Sequence, residues 1–465
     1  MPATPADELP PAGVAARADD GRPGSGDGLT LWLVNQYVNK YPDAGFTRHH
    51  LLAHAMSSDG VDTTIFTAAN AGPHKQSPDG RRPRRARTET ALDTRFVWLP
   101  AHDYTGNGLG RIINMVGFGL SVVRHGWNVR RYGVRPPDVV LSSDPQPFAS
   151  LAGWVLARRY RVPFVYEVRD IWPESLVQIL GVPRYHPLVV LFDWMEKFLY
   201  RRSSLLVGVL PGIGEHVKAR VGRKAPPFVW VPNGIAVETI PGLKEAAAPD
   251  EPGAAYDAVT PDAAPAAPAE EFVIVYAGAH GPPNSLDTII DAAQIIENSA
   301  GETGIRVRFD LYGSGVSKED LIEDVRRRNL TSVHFHDPVP KSRVVNLVRA
   351  ADASIITYRS IDLYRFGVSP NKVFDYLAAG RPVIVALDAP NDPIALAHAG
   401  VFARAEDPAD LAAVIRSLAA MPAAERERIG RNGQRYVCEN HDMAELGRRL
   451  ASALRGTVAR YRRVG

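Results

Sequence analysis

Apolar residues in this chain gather into short uninterrupted runs, separated by longer stretches where they recur every three or four positions. The first run, Leu29-Thr30-Leu31-Trp32-Leu33-Val34, has the length and composition of a strand buried on both faces. Similar runs predict strands at 63–67, 96–99, 139–142, 164–168, 205–209 and 229–231. In the second half they predict strands at 272–276, 306–311, 333–335, 353–356, 383–386 and 401–403. The intervening stretches predict helices at 47–57, 110–124, 146–160, 187–201 and 212–220, then at 285–298, 318–328, 341–350, 370–379, 392–398 and 408–419. Strands that alternate with helices imply parallel, doubly wound sheets, one in each half. Ligands of such sheets bind beyond the carboxyl ends of the strands, which places the expected site in a central cleft between the halves.

Two segments break the alternation. Residues 1–27 are rich in Pro, Ala, Gly and Asp and read as a disordered tail, because they cannot bury enough apolar surface to offset chain entropy. Residues 244–270 are acidic, Ala/Pro-rich and aperiodic, and read as a flexible linker. The expected organisation is therefore one Rossmann-like domain over 28–243, a second over 271–445, and a basic C-terminal helix over 446–465. A length of 465 residues with 45% hydrophobic content suits two ordinary cores. A formal net charge of +3 is too small to indicate wholesale nucleic-acid binding. The lone Cys438 allows no intramolecular disulfide and no cysteine-built zinc site, and fits a reducing cytoplasm. No apolar stretch reaches the length of a membrane span, and no basic start followed by an apolar run marks a secretory signal.

The most informative stretch is SPNKVFDYLAAGRPVI, Ser369 to Ile384. Ser369 is a natural helix N-cap, and Pro370 suits the first helical position. The free amides of that turn, including those at Asn371 and Lys372, together with the helix dipole, favour a phosphate. Lys372 adds positive charge, and Asp375 follows on the same helical side. Gly380 is a natural C-terminal stop before a buried strand. An ordinary capped helix of an α/β domain has the same features.

Several further segments occur in a fixed order: Tyr41 to Gly45, EVRDIWPES (Glu167 to Ser175), VPNGI (Val231 to Ile235), YAG (Tyr276 to Gly278) and LYGSG (Leu311 to Gly315). With SPNKVFDYLAAGRPVI, they resemble the retaining glycosyltransferases of the GT-B fold, family 4, over roughly residues 29–450. The branch most resembled acts on nucleotide-activated amino or deoxy sugars in surface polysaccharide assembly. The resemblance implies two Rossmann-like domains facing a cleft and a nucleotide-diphosphate-sugar, commonly a UDP-sugar, as co-substrate. It also implies metal-independent transfer to a lipid-linked, polyprenyl diphosphate or saccharide acceptor.

Carried onto this sequence, the resemblance assigns catalytic polar groups to Arg169 and Asp170, with Glu174 a further carboxylate. Asp170 is favoured as the base that takes the acceptor proton. A salt-bridged loop of these three residues is the alternative. Gly45 and Gly278 would let backbone approach the donor phosphates, helped by His280, Ser369, Pro370, Asn371 and Lys372. Gly313 and Gly315 would edge the base pocket, and Asp375 would accept the ribose hydroxyls. Arg48 and Arg111 are candidates on the acceptor side.

The sequence also departs from the family pattern. Ala279-His280-Gly281-Pro282-Pro283-Asn284-Ser285 replaces a basic phosphate-binding pair, and Gly367 stands where the first of two glutamates is expected. These departures keep a non-catalytic nucleotide-sugar binder, or an epimerase on the same scaffold, as alternatives. The basic run Arg81-Arg82-Pro83-Arg84-Arg85-Ala86-Arg87 and the apolar helix at 110–124, with Arg111 and Arg124 at its ends and Trp127, Arg130 and Arg131 beyond, suggest peripheral attachment to the inner leaflet of the cytoplasmic membrane. A solvated loop and a core helix are the alternatives for these two features.

Overall fold

The computed structural model describes residues 28–41, 45–69, 85–102, 108–179, 181–247, 271–299, 304–390 and 392–464. The proposed tail at 1–27, most of the 244–270 linker, Asp43-Ala44 of the first loop and Arg81–Arg84 of the basic run lie outside them.

The first half is an eight-stranded sheet in the order β3-β4-β2-β1-β5-β6-β7-β8. Its strands are β1 (Leu29–Val34), β2 (Val61–Ala68), β3 (Arg87–Ala91), β4 (Thr94–Leu99), β5 (Val139–Ser143), β6 (Phe164–Val168), β7 (Leu205–Gly208) and β8 (Phe228–Trp230). All neighbours are parallel except β3 and β4. Helices α1 (Arg48–Ser57), α2 (Leu109–Gly126), α3 (Pro147–Tyr160), α4 (Glu174–Gln178), α5 (Pro187–Arg202), α6 (Ile213–Val221) and α7 (Leu243–Ala246) follow in chain order. The alternation of side chains along β1 divides it between two cores: Leu29, Leu31 and Leu33 face one, Trp32 and Val34 the other.

The second half is a parallel sheet in the order β11-β10-β9-β12-β13-β14. Its strands are β9 (Phe272–Ala277), β10 (Val307–Tyr312), β11 (Val333–His336), β12 (Ala353–Thr357), β13 (Val383–Ala386) and β14 (Gly400–Ala403). Its helices are α8 (Leu286–Asn298), α9 (Lys318–Arg327), α10 (Lys341–Arg349), α11 (Asn371–Ala379), α12 (Pro393–Leu396), α13 (Pro408–Ala420) and α14 (Ala423–Asn440). The order reverses between β9 and β12, and in the first sheet between β1 and β5. These are the switch points where doubly wound sheets open a ligand crevice.

Four of these elements, β3, α4, α7 and α14, have no counterpart in the sequence-based expectations. Strand β3 is polar and pairs antiparallel with β4 through Leu92 and Asp93, both at positive φ. Helix α14 carries a mostly polar sequence, and its fit comes from small residues: a Cβ on Gly430 would stand 2.0 Å from the carbonyl oxygen of Gly380. The final helix, α15 (Met443–Val464), crosses from the second half to the first. Its Leu446, Leu450, Leu454 and Val458 share a core with Leu52 and Met56 of α1. Gly447 permits that approach, since its Cβ would lie 2.6 Å from that of Ala55.

The two halves also meet across the cleft. The Gly212 N–H donates to the Phe366 carbonyl at 3.0 Å, and the Leu363 N–H to Gln178 Oε1 at 2.8 Å. The Phe366 ring stands edge-on to His216 at 4.9 Å.

Candidate active site

Two adjoining cavities lie between the carboxyl ends of the sheets, and Asn371 lines both. The larger, about 340 Å³, is lined by Arg169, Asp170, Tyr358, Gly367, Ser369 and Asn371, among others. The smaller, about 150 Å³, includes Tyr41, Gly45, Lys341, Asn346 and Asp375. Residues from both halves of the chain therefore face the same spaces.

Arg169 and Asp170 follow the last residue of β6. They are held by Asp144, which follows β5 next door: Asp144 Oδ1 accepts the N–H of Arg169 at 2.7 Å and of Asp170 at 3.2 Å. Asp144 is buried, and no motif marked it. Burial pushes its carboxyl well above the usual carboxylate range, and the negative charge of Asp170 adds to the shift. Asp170 opens onto the larger cavity; desolvation within the cleft raises its pKa, against the pull of Arg169. Two carboxyls so placed titrate as a pair, and both are displaced toward the protonated form. The Arg169 guanidinium lies over the Phe46 ring, 5.7 Å from its centroid. Glu174 is placed differently. Arg184 grips both its oxygens at 3.1 and 2.9 Å, and it lines neither cavity, so its carboxylate braces the loop.

Arg48 borders the smaller cavity, but its guanidinium is engaged within the protein. It is buried, it donates to Glu167 at 3.1 and 3.3 Å, to the Val231 carbonyl at 2.6 Å and to the Pro232 carbonyl. His49 reaches the other Glu167 oxygen at 2.5 Å. Burial acts to raise the Glu167 pKa, but His49 and Arg48 outweigh it and hold the carboxyl well below its ordinary range. This buried cluster ties α1, β6 and the VPNGI loop together beneath the cleft. Arg111 sits in the first turn of α2, half-buried, and lines neither cavity.

On the opposite side, helix α11 begins at Asn371, with Pro370 in the capping position. This corrects the expected cap at Ser369. The Ser369 hydroxyl instead accepts the Asn233 N–H at 3.0 Å, and the Asn233 side chain donates to the Ser369 carbonyl at 2.5 Å. Gly380 ends the helix in the left-handed conformation, as its sequence implies.

Lys372 and Asp375 part company. Lys372 Nζ donates to the Tyr276 hydroxyl at 3.0 Å and to Asn284 Oδ1 at 2.6 Å. It lies 4.5 and 4.9 Å from the ring centroids of Tyr276 and Tyr358. Burial lowers its pKa to about 7. Asp375 is paired with Lys341, the first residue of α10. Burial raises the Asp375 pKa, and Lys341 opposes the rise. Asn284, Tyr358 and Lys341 were not legible as site residues, because each follows a strand as an ordinary loop or helix-start residue.

The glycine loops prove to be steric fits. A Cβ on Gly313 would lie 1.8 Å from the Gly278 carbonyl oxygen, and one on Gly315 would lie 2.2 Å from the His280 carbonyl oxygen. These residues press the loops after β9 and β10 together, and the His280 N–H donates to the Ser314 carbonyl at 2.9 Å. The His280 ring is fully buried, and burial first, then Lys318 and Lys372, lowers its pKa to about 4. It is a neutral support of the loop rather than a side chain facing a ligand. Gly45 and Gly367 both have positive φ. A Cβ on Gly367 would in addition meet Pro211 Cδ at 2.7 Å, so this backbone excludes the glutamate the family pattern expects.

Comparison with known proteins places each half. Residues 46–234 match the glycosyl transferase 4-like domain family, and residues 271–421 match the glycosyl transferases group 1 family. No curated protein matches the sequence. Among solved structures, sucrose-phosphate synthase from Thermosynechococcus elongatus superposes with a TM-score of 0.66 at 15% identity, over 93% of this chain and 99% of that one. Anabaena HepE in complex with UDP and glucose gives 0.57 at 13% identity, over 92% and 100%. WaaG, a glycosyltransferase involved in lipopolysaccharide biosynthesis, gives 0.59 at 15% identity, over 92% and 99%. At these identities the likeness is one of fold.

Proposed function

The chain is a glycosyltransferase of the GT-B fold, and we propose that it transfers a sugar, with retention, from a UDP-sugar to a lipid-linked or saccharide acceptor in cell-surface polysaccharide assembly. The observation that carries this reading is the meeting of the α11 N-terminus with Arg169 and Asp170 around one cavity. The amides of that helix start, with Lys372 behind them, offer positive potential for a diphosphate leaving group. Asp170, which faces that cavity with its pKa raised, is placed to take the acceptor proton. Asp375 and Lys341 line the adjoining cavity, where Asp375 would hold the ribose hydroxyls. UDP as the nucleotide is supported by HepE, solved with UDP and glucose, and a surface-glycan role by WaaG. Neutralisation by Lys372 and helix amides makes transfer without a metal part of the proposal. An acceptor carried on a polyprenyl diphosphate would bring the enzyme to the cytoplasmic face of a membrane.

The test is thermal stabilisation by nucleoside diphosphates, with Asp375→Ala alongside the wild type. A ligand that binds only the folded state raises stability with the logarithm of its concentration. Stabilisation by UDP that is lost in the variant supports the donor site; no response to any diphosphate overturns it. A second reading, a nucleotide-sugar binder without turnover, is favoured by Gly367, whose backbone admits no carboxylate. UDP stabilisation with no consumption of any UDP-sugar would select it.

A further inference from the structure

Helices α2, α3 and α5 form one flank of the first sheet, with α3 packed against both others. Their outer sides carry large apolar residues. On α2 and its end these are Ile113, Leu120 and Trp127, seven positions apart and therefore one stripe. On α5 they are Val190, Leu191 and Trp194, and all six side chains are between 40% and 67% exposed. The α2 stripe runs the length of that helix, and the α5 patch covers its first two turns.

The three helices also end alike. Arg158-Arg159 close α3, Arg201-Arg202 close α5, and Arg130-Arg131 follow α2. Aromatic rings knit these ends together. Arg159 lies 5.2 Å from the Trp127 ring centroid, and Trp154 meets Phe198 at 4.9 Å. Phe198 in turn stacks on Trp194 at 5.7 Å and sits under Arg202 at 5.6 Å. A groove of about 460 Å³ between the ends of α3 and α5 is lined by Trp154, Arg158, Arg201, Arg202 and Tyr461. Neither α2 nor α3 contains an acidic residue. The two acids of α5 are turned away: Asp193 pairs with Lys197 and Arg220, and Glu196 is buried beside Arg220.

We propose that this flank docks on an anionic lipid bilayer, with the apolar stripe at the acyl boundary and the arginines among headgroup phosphates. An apolar face alone would suit a protein partner. The arginines at the ends of helices of which α2 and α3 carry no acid and α5 only paired or buried ones, with tryptophans at the edge, fit an anionic membrane interface instead. The surface is argued independently of the donor site, and rests on the proposed lipid-linked acceptor only for its purpose. Ile179 is exposed and lines the cavity beside Asp170.

The experiment is sedimentation of the full chain with vesicles of phosphatidylcholine alone or containing phosphatidylglycerol. The wild type is expected to bind only the phosphatidylglycerol vesicles, and to be released by salt. Combined Arg158→Glu, Arg201→Glu and Arg202→Glu should lower partitioning by roughly a hundredfold, as three lost surface cations imply. Leu120→Ser with Trp194→Ser should weaken binding while leaving its salt dependence in place. Melting curves of the same variants, with and without UDP, report folding and the donor site separately. Failure of the folded wild type to bind anionic vesicles, or equal binding by the arginine variant, overturns the proposal. Self-association abolished by the Leu120/Trp194 variant, without vesicle binding, would assign the face to a second copy and overturn it as well. Vesicle binding without UDP stabilisation would leave this proposal standing and remove the donor-site reading.

Discussion

Asn233 and Ser369, 136 positions apart, exchange two hydrogen bonds across the cleft: the Asn233 backbone N–H to the Ser369 hydroxyl, and the Asn233 amide to the Ser369 carbonyl. This bridge fixes the start of α11 against the VPNGI loop, between the two cavities. Both residues are buried, so removing the hydroxyl leaves a donor without a partner. Ser369→Ala is therefore expected to cost about 1–3 kcal/mol. Denaturant unfolding of the full chain checks this, and an unchanged midpoint would show that the bond contributes nothing.

Lys372 gives a pH dependence. Its pKa is lowered from the ordinary lysine value to about 7 by burial. Between that value and the ordinary one the unfolded chain binds the extra proton, so this group alone makes stability rise with pH there. A bound diphosphate favours the charged form and reverses the preference. UDP affinity should thus be full below neutrality and fall by up to about tenfold per pH unit above it. Calorimetry in buffers of different ionisation heat should show proton uptake on binding near pH 8. Lys372→Met should abolish both effects.

The two carboxylates after β6 should separate cleanly. Asp170→Asn is expected to lower kcat by about 10²–10⁴-fold while UDP still stabilises the protein. Glu174→Gln, on a residue gripped by Arg184, should leave turnover near that of the wild type. The reverse result would move the base to Glu174.

Asp144 should act by holding the loop. Asp144→Asn keeps an oxygen to accept the amides of Arg169 and Asp170, and the carboxyl it replaces is already held toward its neutral form by burial and by the charge of Asp170. The acid limb of the kcat profile is therefore expected to stay in place, whereas Asp144→Ala, which leaves the two amides without that acceptor, should cost about 1–3 kcal/mol in denaturant unfolding. A limb shifted to lower pH in Asp144→Asn would show instead that Asp144 carries charge beside Asp170.

Gly315→Ala tests the loop fit. The added methyl would sit 2.2 Å from the backbone carbonyl of His280, which has no room to move without breaking the paired loops. A loss of about 1–3 kcal/mol is expected. Weakened UDP binding should accompany it, because the same loops back the donor side.

Much of this protein was readable from local pattern. Buried strands announce themselves as apolar runs, and every strand of the second sheet lies within a residue or two of its expected place. Polar β3 and α14 were not legible, because their stability comes from pairing with β4 and from close approach to Gly380. The motifs around Arg169-Asp170 and Ser369–Asn371 marked segments that line a common cavity.

Roles within those motifs were another matter. Which carboxylate is available depends on which cation reaches it: Arg184 takes Glu174 and Arg48 with His49 takes Glu167, whereas Asp375, paired with Lys341, still lines the smaller cavity. Partners separated by ten to more than a hundred residues leave no signature in local spacing. The sequence by itself determined the strands, the helices and the α/β class, because burial and backbone hydrogen bonding act over a few residues. Tertiary structure alone decided which side chains are spent on holding the cleft and which still face it, since that depends on distance and burial between segments remote in the chain.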